Sequence, residues 1–184
     1  IIFAEKLAKL ERQPLQVLDL GTGSGCLLVA FVHACRQRGI QIKGLGVDIS
    51  KTALRQARIN AAINGLENSV SFRQSDWFEN VSGKFDIIIS NPPYIASREI
   101  EDLTPEVRVH DPSAALDGGS DGLDAYKHII PAMTAFIKPG GSVLFEIGSN
   151  QAALVTDIVR QSISTHQQVT ISYVSDLAGL DRVV

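Results

Sequence analysis

Apolar and polar positions along this chain fall into blocks that alternate between strand-like runs and helix-like spacing. Gln16 to Leu20 is a short apolar run that ends in Gly21-Thr22-Gly23-Ser24-Gly25. Cys26 to Arg38 has helical spacing, and Ile42 to Asp48 reads as a second strand. Ser50 is placed to cap a helix through Ile63, and Asn64-Gly65 stops it. Val70 to Gln74 reads as a third strand. Phe85 to Ser90 reads as a fourth, almost continuously apolar, as strands covered on both faces are.

Asn91-Pro92-Pro93-Tyr94 ends that strand abruptly, because proline cannot continue a central strand. Ile95 to Asp121 has no clean periodicity, and a stretch that long inside a domain is more often functional than filler. Leu123 to Ile137 then predicts a helix, bent or interrupted near Pro131. Lys138-Pro139-Gly140-Gly141 predicts a turn that feeds a strand from Ser142 to Ile147. Asn150 to Gln161 predicts a helix, Gln168 to Ser175 a strand, and Arg182 to Val184 the start of a last one.

Strands alternating with helices imply an α/β fold with a doubly wound, mostly parallel sheet and helices on both faces. Ligands of such sheets bind beyond the carboxyl ends of the strands. Gly21–Gly25 and Asn91–Tyr94 both follow directly after strands, so both are expected to line one crevice. No internal repeat or linker interrupts the pattern, and all 184 residues are expected to form one domain.

Composition narrows the partners. Seventeen basic against twenty acidic residues give a net charge of −3, without the basic surplus of a duplex-binding protein. No apolar run approaches the roughly 20 residues that span a bilayer. Cys26 and Cys35 make neither a disulfide framework nor a metal-ligand pattern; both are read as buried thiols, and no metal site is expected. His33, His110, His128 and His166 are scattered and read as surface or helix residues. The chain starts at Ile1 rather than Met and closes at Val184 in a strand pattern. The natural protein is therefore expected to be longer, and to lie in the cytoplasm, or in an organelle matrix if a leader was removed.

The glycine loop carries the first chemistry. Its glycines let the backbone turn tightly and approach a ligand, and the following helix start favours an anionic group. Asp48, closing the second strand, is placed to accept hydrogen bonds from ribose hydroxyls. The dinucleotide fingerprint would need glycine where Cys26 stands and does not include Asp19, and no Gly-Lys-Ser/Thr is present for a triphosphate. S-adenosylmethionine remains: it has no phosphate, but offers a carboxylate for the helix start and a ribose for Asp48. Its cationic sulfonium and ammonium suit nearby acidic residues. The expected cofactor contacts are Asp19, Gly21, Thr22, Gly23, Ser24, Gly25, Asp48, Asp76, Trp77 and Asn91. Asp76 would accept from the adenine amino group, and Trp77 would pack on the ring.

Asn91-Pro92-Pro93-Tyr94 carries the second. Two prolines stiffen the backbone, so the Asn91 side-chain carbonyl and the Pro92 carbonyl can each accept one N–H of a planar NH2 group. Tyr94 supplies a face for the flat substrate. The lone pair of such a nitrogen is delocalised, and amide rotation barriers of ~18–20 kcal/mol show how strongly. Holding both hydrogens turns the lone pair toward the methyl group. Placement of this kind contributes on the order of 7–11 kcal/mol, more than acid–base assistance, so no strong base is needed. Asn91, Pro92 and Tyr94 are the expected catalytic residues, and Asn91 to Tyr94 the substrate contacts.

Taken together, Asp19–Gly25, Asp48, Asp76-Trp77 and Asn91–Tyr94 resemble the class I S-adenosylmethionine-dependent methyltransferases of planar nitrogens. Further pieces narrow this: Pro105-Glu106-Val107-Arg108, Asp111-Pro112, Ala115-Leu116-Asp117-Gly118-Gly119-Ser120-Asp121-Gly122-Leu123, Tyr126 to Ile130, Lys138 to Gly141 and Phe145 to Gly148. With Asp176 to Gly179 and Asp181 to Val184, the chain resembles the release factor glutamine methyltransferase family. That resemblance implies a seven-stranded Rossmann-like sheet, its last strand cut short. It also implies transfer of methyl to the side-chain amide nitrogen (N5) of the glutamine in the Gly-Gly-Gln motif of class 1 peptide-chain release factors, leaving S-adenosylhomocysteine. A monomer is expected, with a release factor as its protein substrate and neither nucleic acid nor membrane as a partner. The family's small helical N-terminal domain does not appear in this sequence. Arg108-Val109-His110-Asp111-Pro112 stands where many members read Arg-Asp-Phe-Glu-Pro.

Three other readings stay open at the level of sequence. Asn-Pro-Pro-Tyr equally suits a nucleic-acid exocyclic amino group of the N6-adenine type, although the acidic charge and the Leu116–Gly122 block argue against it. A cofactor-binding module would not need Asn91–Tyr94. A nicotinamide-dependent oxidoreductase is the most distant.

Overall fold

The computed structural model describes residues 2–9, 14–104, 112–163 and 168–184. The 105–111 part of the sequence pattern, and with it His110, lies outside the described residues, as does His166. The chain divides into two compact units, one comprising Ile1–Ser90 and Ala135–Leu144, the other Asn91–Thr134 and Phe145–Val184.

The first unit holds helix α1 (Ile2–Ala8), strand β1 (Leu15–Leu20), helix α2 (Cys26–Arg36) and strand β2 (Ile42–Asp48). Helix α3 (Lys51–Ile63) and strands β3 (Val70–Gln74), β4 (Phe85–Ser90) and β5 (Ile137–Phe145, whose last residue belongs to the second unit) follow. The strands make a five-stranded sheet in the order β3-β2-β1-β4-β5. β1 runs parallel to both β2 and β4, and β2 runs parallel to β3.

Every residue of β4 is buried, and buried positions of both parities occur along β1. Both faces of the sheet are therefore covered, which is what an unbroken Phe-Asp-Ile-Ile-Ile-Ser run requires. One apolar cluster joins Leu15, Val17, Ile87 and Ile89 of the sheet to Leu28, Val29, Val32 and Cys35 of α2. α3 turns Leu54, Ala57 and Ala61 inward at helical spacing. Its start is capped as the sequence suggests, with Ser50 Oγ accepting from the Ala53 N–H at 3.2 Å.

The second unit contains 3₁₀ turns at Ser97–Asp102 and Ser113–Ala115, helix α4 (Asp124–Met133), helix α5 (Ala152–Ser162), and strands β6 (Val174–Ser175) and β7 (Asp181–Val183). β6 and β7 pair antiparallel. Phe145 and Ile147 donate N–H bonds to the Val184 and Arg182 carbonyls at 2.8 and 2.9 Å. Tyr126 is fully buried; its hydroxyl donates to Glu146 O at 2.6 Å, and its ring meets Phe145 edge-on.

Several sequence expectations change here. The sheet has five strands with a separate antiparallel pair rather than seven in one sheet. Of the strand expected over Gln168–Ser175, only Val174–Ser175 is paired as strand; its partner β7 is three residues long, and the register shifts between Val174 and Ser175. Lys138–Gly141 is part of β5 rather than a turn before it. β5 ends the strand order of its sheet, where Pro139 can sit without removing a central ladder bond. The helix expected over Leu123–Ile137 is shorter, ending two residues after Pro131. Cys35 is buried as expected, but Cys26 is exposed, since it opens α2 at the loop rather than on the core stripe. Among the described residues no helix is long and apolar enough to cross a membrane.

Candidate functional site

β1 delivers Asp19 and Leu20 into the glycine loop. Asp19 is 1% exposed and accepts the Thr22 hydroxyl at 2.6 Å. Burial pushes its carboxyl up to about 7, against the Thr22 hydrogen bond. The nearby Asp48 charge adds to the rise, and the Leu28 backbone N–H opposes it. Thr22 is itself fixed, donating its N–H to Val47 O at 2.9 Å.

In the structure Asp48 has a backbone-tying task. Its Oδ2 accepts the Gly23 N–H at 2.8 Å, and its Oδ1 accepts the Ser50 N–H at the same distance. The carboxylate thus ties the glycine loop to the start of α3, and each oxygen retains a lone pair for a further donor. Gly25 has a φ of +77° and lies so close to α3 that a Cβ there would sit 2.9 Å from the Ala57 Cβ. Only glycine meets both demands.

β3 leads into Ser75, whose buried hydroxyl donates to Trp77 O at 2.9 Å and accepts the Asn80 N–H at 2.9 Å. Trp77 adopts a φ of +40°, the one non-glycine residue among those described with a positive value. Such strain persists only where the surroundings impose it. The indole is half-buried and lies beside Gly21, where an added Cβ would be 3.6 Å from Cζ3. The first unit therefore brings together Asp19, the Gly21–Gly25 loop, Asp48 and Trp77. Asp76 is exposed; its backbone carbonyl accepts the Glu79 N–H at 2.9 Å.

β1 and β4 end in register, Leu20 opposite Ser90, with Ser90 Oγ donating to Leu20 O at 2.8 Å. The chain leaves the first strand into Gly21 and the other into Asn91. Within the second unit Asn91 is exposed, Pro92 buried, and Pro93 and Tyr94 half-buried. Burial holds the Tyr94 phenol above its usual range; the Glu146 charge adds to this and Arg182 opposes it. The ring therefore remains a neutral phenol at physiological pH.

Leu116 to Gly119 pairs with Ile95 and Ser97, just after this motif. Ile95 N–H donates to Leu116 O at 3.1 Å, Gly118 N–H to Ile95 O at 2.8 Å, and Ser97 N–H to Gly119 O at 2.9 Å. Asp117 Oδ1 accepts both the Ser97 hydroxyl at 2.7 Å and the Gly119 N–H at 2.9 Å. Those two bonds hold its carboxyl below the usual range. Asp121 is held low in the same way by Lys127, 2.8 Å away, and by the Leu123 N–H. The Leu116–Gly122 block is thus a clamp on the residues that follow Tyr94.

One residue of this site carries no signal in the sequence. Gln151, 6% exposed at the start of α5, donates to Tyr94 O at 2.9 Å. A glutamine beside a helix start is common, and its partner lies 57 positions away.

The description "Methyltransferase domain" belongs to a family profile that matches residues 12–176. A release factor glutamine methyltransferase of Agrobacterium fabrum is 44% identical over 169 residues, covering 92% of this chain and 56% of that protein. The protein of the same name from Rhodospirillum rubrum is 47% identical over 153 residues, covering 83% of this chain and 46% of that one. The chain thus spans about half the length of the curated relatives it matches. Among solved structures, TrmN from Thermus thermophilus aligns at a TM-score of 0.61 and 20% identity over 98% of this chain and 46% of that one. An RNA methyltransferase from Salinibacter ruber aligns at 0.53 and 20% identity, over 98% of this chain and 86% of that one. At such identity these two show a shared fold. The parallel sheet, its glycine loop and the profile match across most of the sequence agree, and the chain belongs to the methyltransferase-domain family.

Proposed function

We propose that this chain transfers a methyl group from S-adenosylmethionine to the side-chain amide nitrogen of the glutamine in the Gly-Gly-Gln motif of class 1 peptide-chain release factors. The observation that carries the reading is the state of the Asn91–Tyr94 oxygens. The carbonyl of Tyr94 is taken by Gln151, whereas neither the Asn91 carboxamide nor the Pro92 carbonyl is bonded by another described residue. Two acceptors on a proline-stiffened corner suit the two hydrogens of one carboxamide. The curated relatives in Agrobacterium fabrum and Rhodospirillum rubrum carry the matching name.

The first unit fits the cofactor. Gly21 leaves open the side of Trp77 that a Cβ would begin to fill, and Asp48 keeps lone pairs for ribose hydroxyls. Gly21 to Gly25 opens α2 at its N-terminus, which favours the cofactor's carboxylate. Asp19 is the buried carboxyl that a cationic ligand would favour in its ionised form. Ser24 lies within the glycine loop, and Asp76 follows the end of β3. When bound, S-adenosylmethionine supplies a methyl carbon made electrophilic by its sulfonium.

The protein's part is then placement. Asn91 Oδ1 and Pro92 O accept the two N–H groups of the substrate amide, and Pro93 and Tyr94 border its flat face. This grip turns the nitrogen lone pair out of conjugation and toward the methyl carbon. As positive charge develops on nitrogen, each accepted hydrogen bond strengthens toward the about 1.5–3 kcal/mol that bonds to charged groups are worth. Release of one amide proton to water completes the transfer.

The test is transfer of labelled methyl to a purified release factor, to the same factor with its motif glutamine replaced by alanine, and to ribosomal RNA. Label on the first alone is expected. With Asn91→Ala, turnover should fall by about a hundredfold, in the range found when one preorganised polar partner is lost. Label that persists on the alanine factor would overturn the proposal.

A further inference from the structure

We propose that Gln151 is a positioning residue for the Asn-Pro-Pro-Tyr segment, acting through the Tyr94–Ile95 peptide; this rests on the function proposed above. Its side-chain amide splits its two donors between Tyr94 O at 2.9 Å and Gly122 O at 3.2 Å. Its Oε1 accepts the Gly148 N–H at 2.9 Å. One side chain, 6% exposed, thus joins three backbone stretches: the motif, the Leu116–Gly122 clamp and the turn before α5.

The surroundings are shaped around this carboxamide. At Gly122, whose φ is +75°, a Cβ would press on Tyr94 O and lie 2.7 Å from Gln151 Nε2. At Gly148 a Cβ would lie 3.0 Å from Gln151 Oε1. Two glycines leave room for one amide group. The backbone of Gln151 is held as well: its N–H donates to Gly148 O and its carbonyl accepts from Val155, both at 2.9 Å. The anchor itself therefore has little freedom.

The consequence for the motif is geometric. Pro92 and Pro93 have fixed φ. The peptide that follows Tyr94 is gripped at both ends, its oxygen by Gln151 and its N–H by Leu116 O. With that plane fixed, the corner presenting the Asn91 and Pro92 oxygens cannot swing about its C-terminal end. No other residue type combines two donors, an acceptor and this reach. Glutamate accepts but cannot donate, and asparagine is one methylene short.

Gln151→Glu and Gln151→Met are compared with the unaltered chain by methyl-transfer kinetics, calorimetry with S-adenosylhomocysteine, and hydrogen exchange. The expected result is a kcat reduced 10- to 100-fold. KM for the release factor and the calorimetric Kd should change less than threefold. Exchange at the Ile95 and Gly118 amides should quicken at least tenfold, while the amides of β1 and β4 keep their protection. Adding Gln151→Met to Asn91→Ala should lower turnover less than threefold further, since the geometry it supports is already without its acceptor. Unchanged kcat, unchanged exchange at Ile95, or equal loss of protection throughout β1–β4 would overturn the assignment. If Gln151→Glu does not fold, Gln151→Met decides. An unaltered chain that transfers no methyl to glutamine defeats the function proposed above, and the exchange data then judge the anchoring role by themselves.

Discussion

Replacing Asp19 by Asn isolates the cost of burying a carboxyl under the glycine loop. The unfolded chain ionises this group near 3.8, and the folded chain retains the proton up to about 7. Below pH 4 both states are protonated and the group has no influence. As pH rises from 4 to 7 the unfolded state alone releases the proton, so stability falls by about 1.4 kcal/mol per unit. Above 7 the loss is complete, at about 4 kcal/mol. Asparagine keeps the shape, and its Oδ1 can still accept from Thr22, but it does not titrate. Between pH 5 and pH 8 the native chain should therefore lose about 2.5 kcal/mol relative to Asp19→Asn. Urea unfolding of both proteins at several pH values, followed by the fluorescence of the single tryptophan, measures this difference. A gap that stays level from pH 5 to 8, or that shifts in favour of the native chain as pH rises, would refute the reasoning.

Lys138→Met should destabilise by about 3 kcal/mol, because it leaves the Asp86 carboxylate buried without its cation. Lys138 Nζ lies 2.7 Å from Asp86 Oδ2, which also accepts the Gln16 N–H, and Asp86 Oδ1 has no partner among the described residues. Urea unfolding would show this, and a loss below about 1 kcal/mol would contradict the role of the pair. Gly122→Ala places a methyl at positive φ against Tyr94 O and should cost more than about 1 kcal/mol. Thermal unfolding and exchange at Ile95 check it, and an unchanged midpoint would show that the clamp adapts freely.

Much of this architecture was legible where the signal is local. β2, β3 and β4 lie at the residues where runs of apolar positions begin and end, and Ser50 caps α3 as its hydroxyl and the following spacing require. That the glycine loop follows β1 and the Asn-Pro-Pro-Tyr stretch follows β4 was readable because glycine and proline end strands through their own backbone constraints. What the tertiary structure decided is set by partners far apart in the chain. Lys138–Gly141 looks like a turn by itself but is drawn into β5 by its place at the end of a sheet. Gln168 to Tyr173 reads as strand but lies where β7 is too short to pair with it. The task of Asp48 in tying the glycine loop to α3 appears only when both backbones are in place. Gln151 is the extreme case: an unremarkable polar residue in the sequence becomes the brace of the motif because folding sets its amide against two carbonyls and one N–H from three distant stretches. Propensity and periodicity act over a few residues, whereas a buried hydrogen bond is decided by whichever backbone groups the packed chain leaves without water.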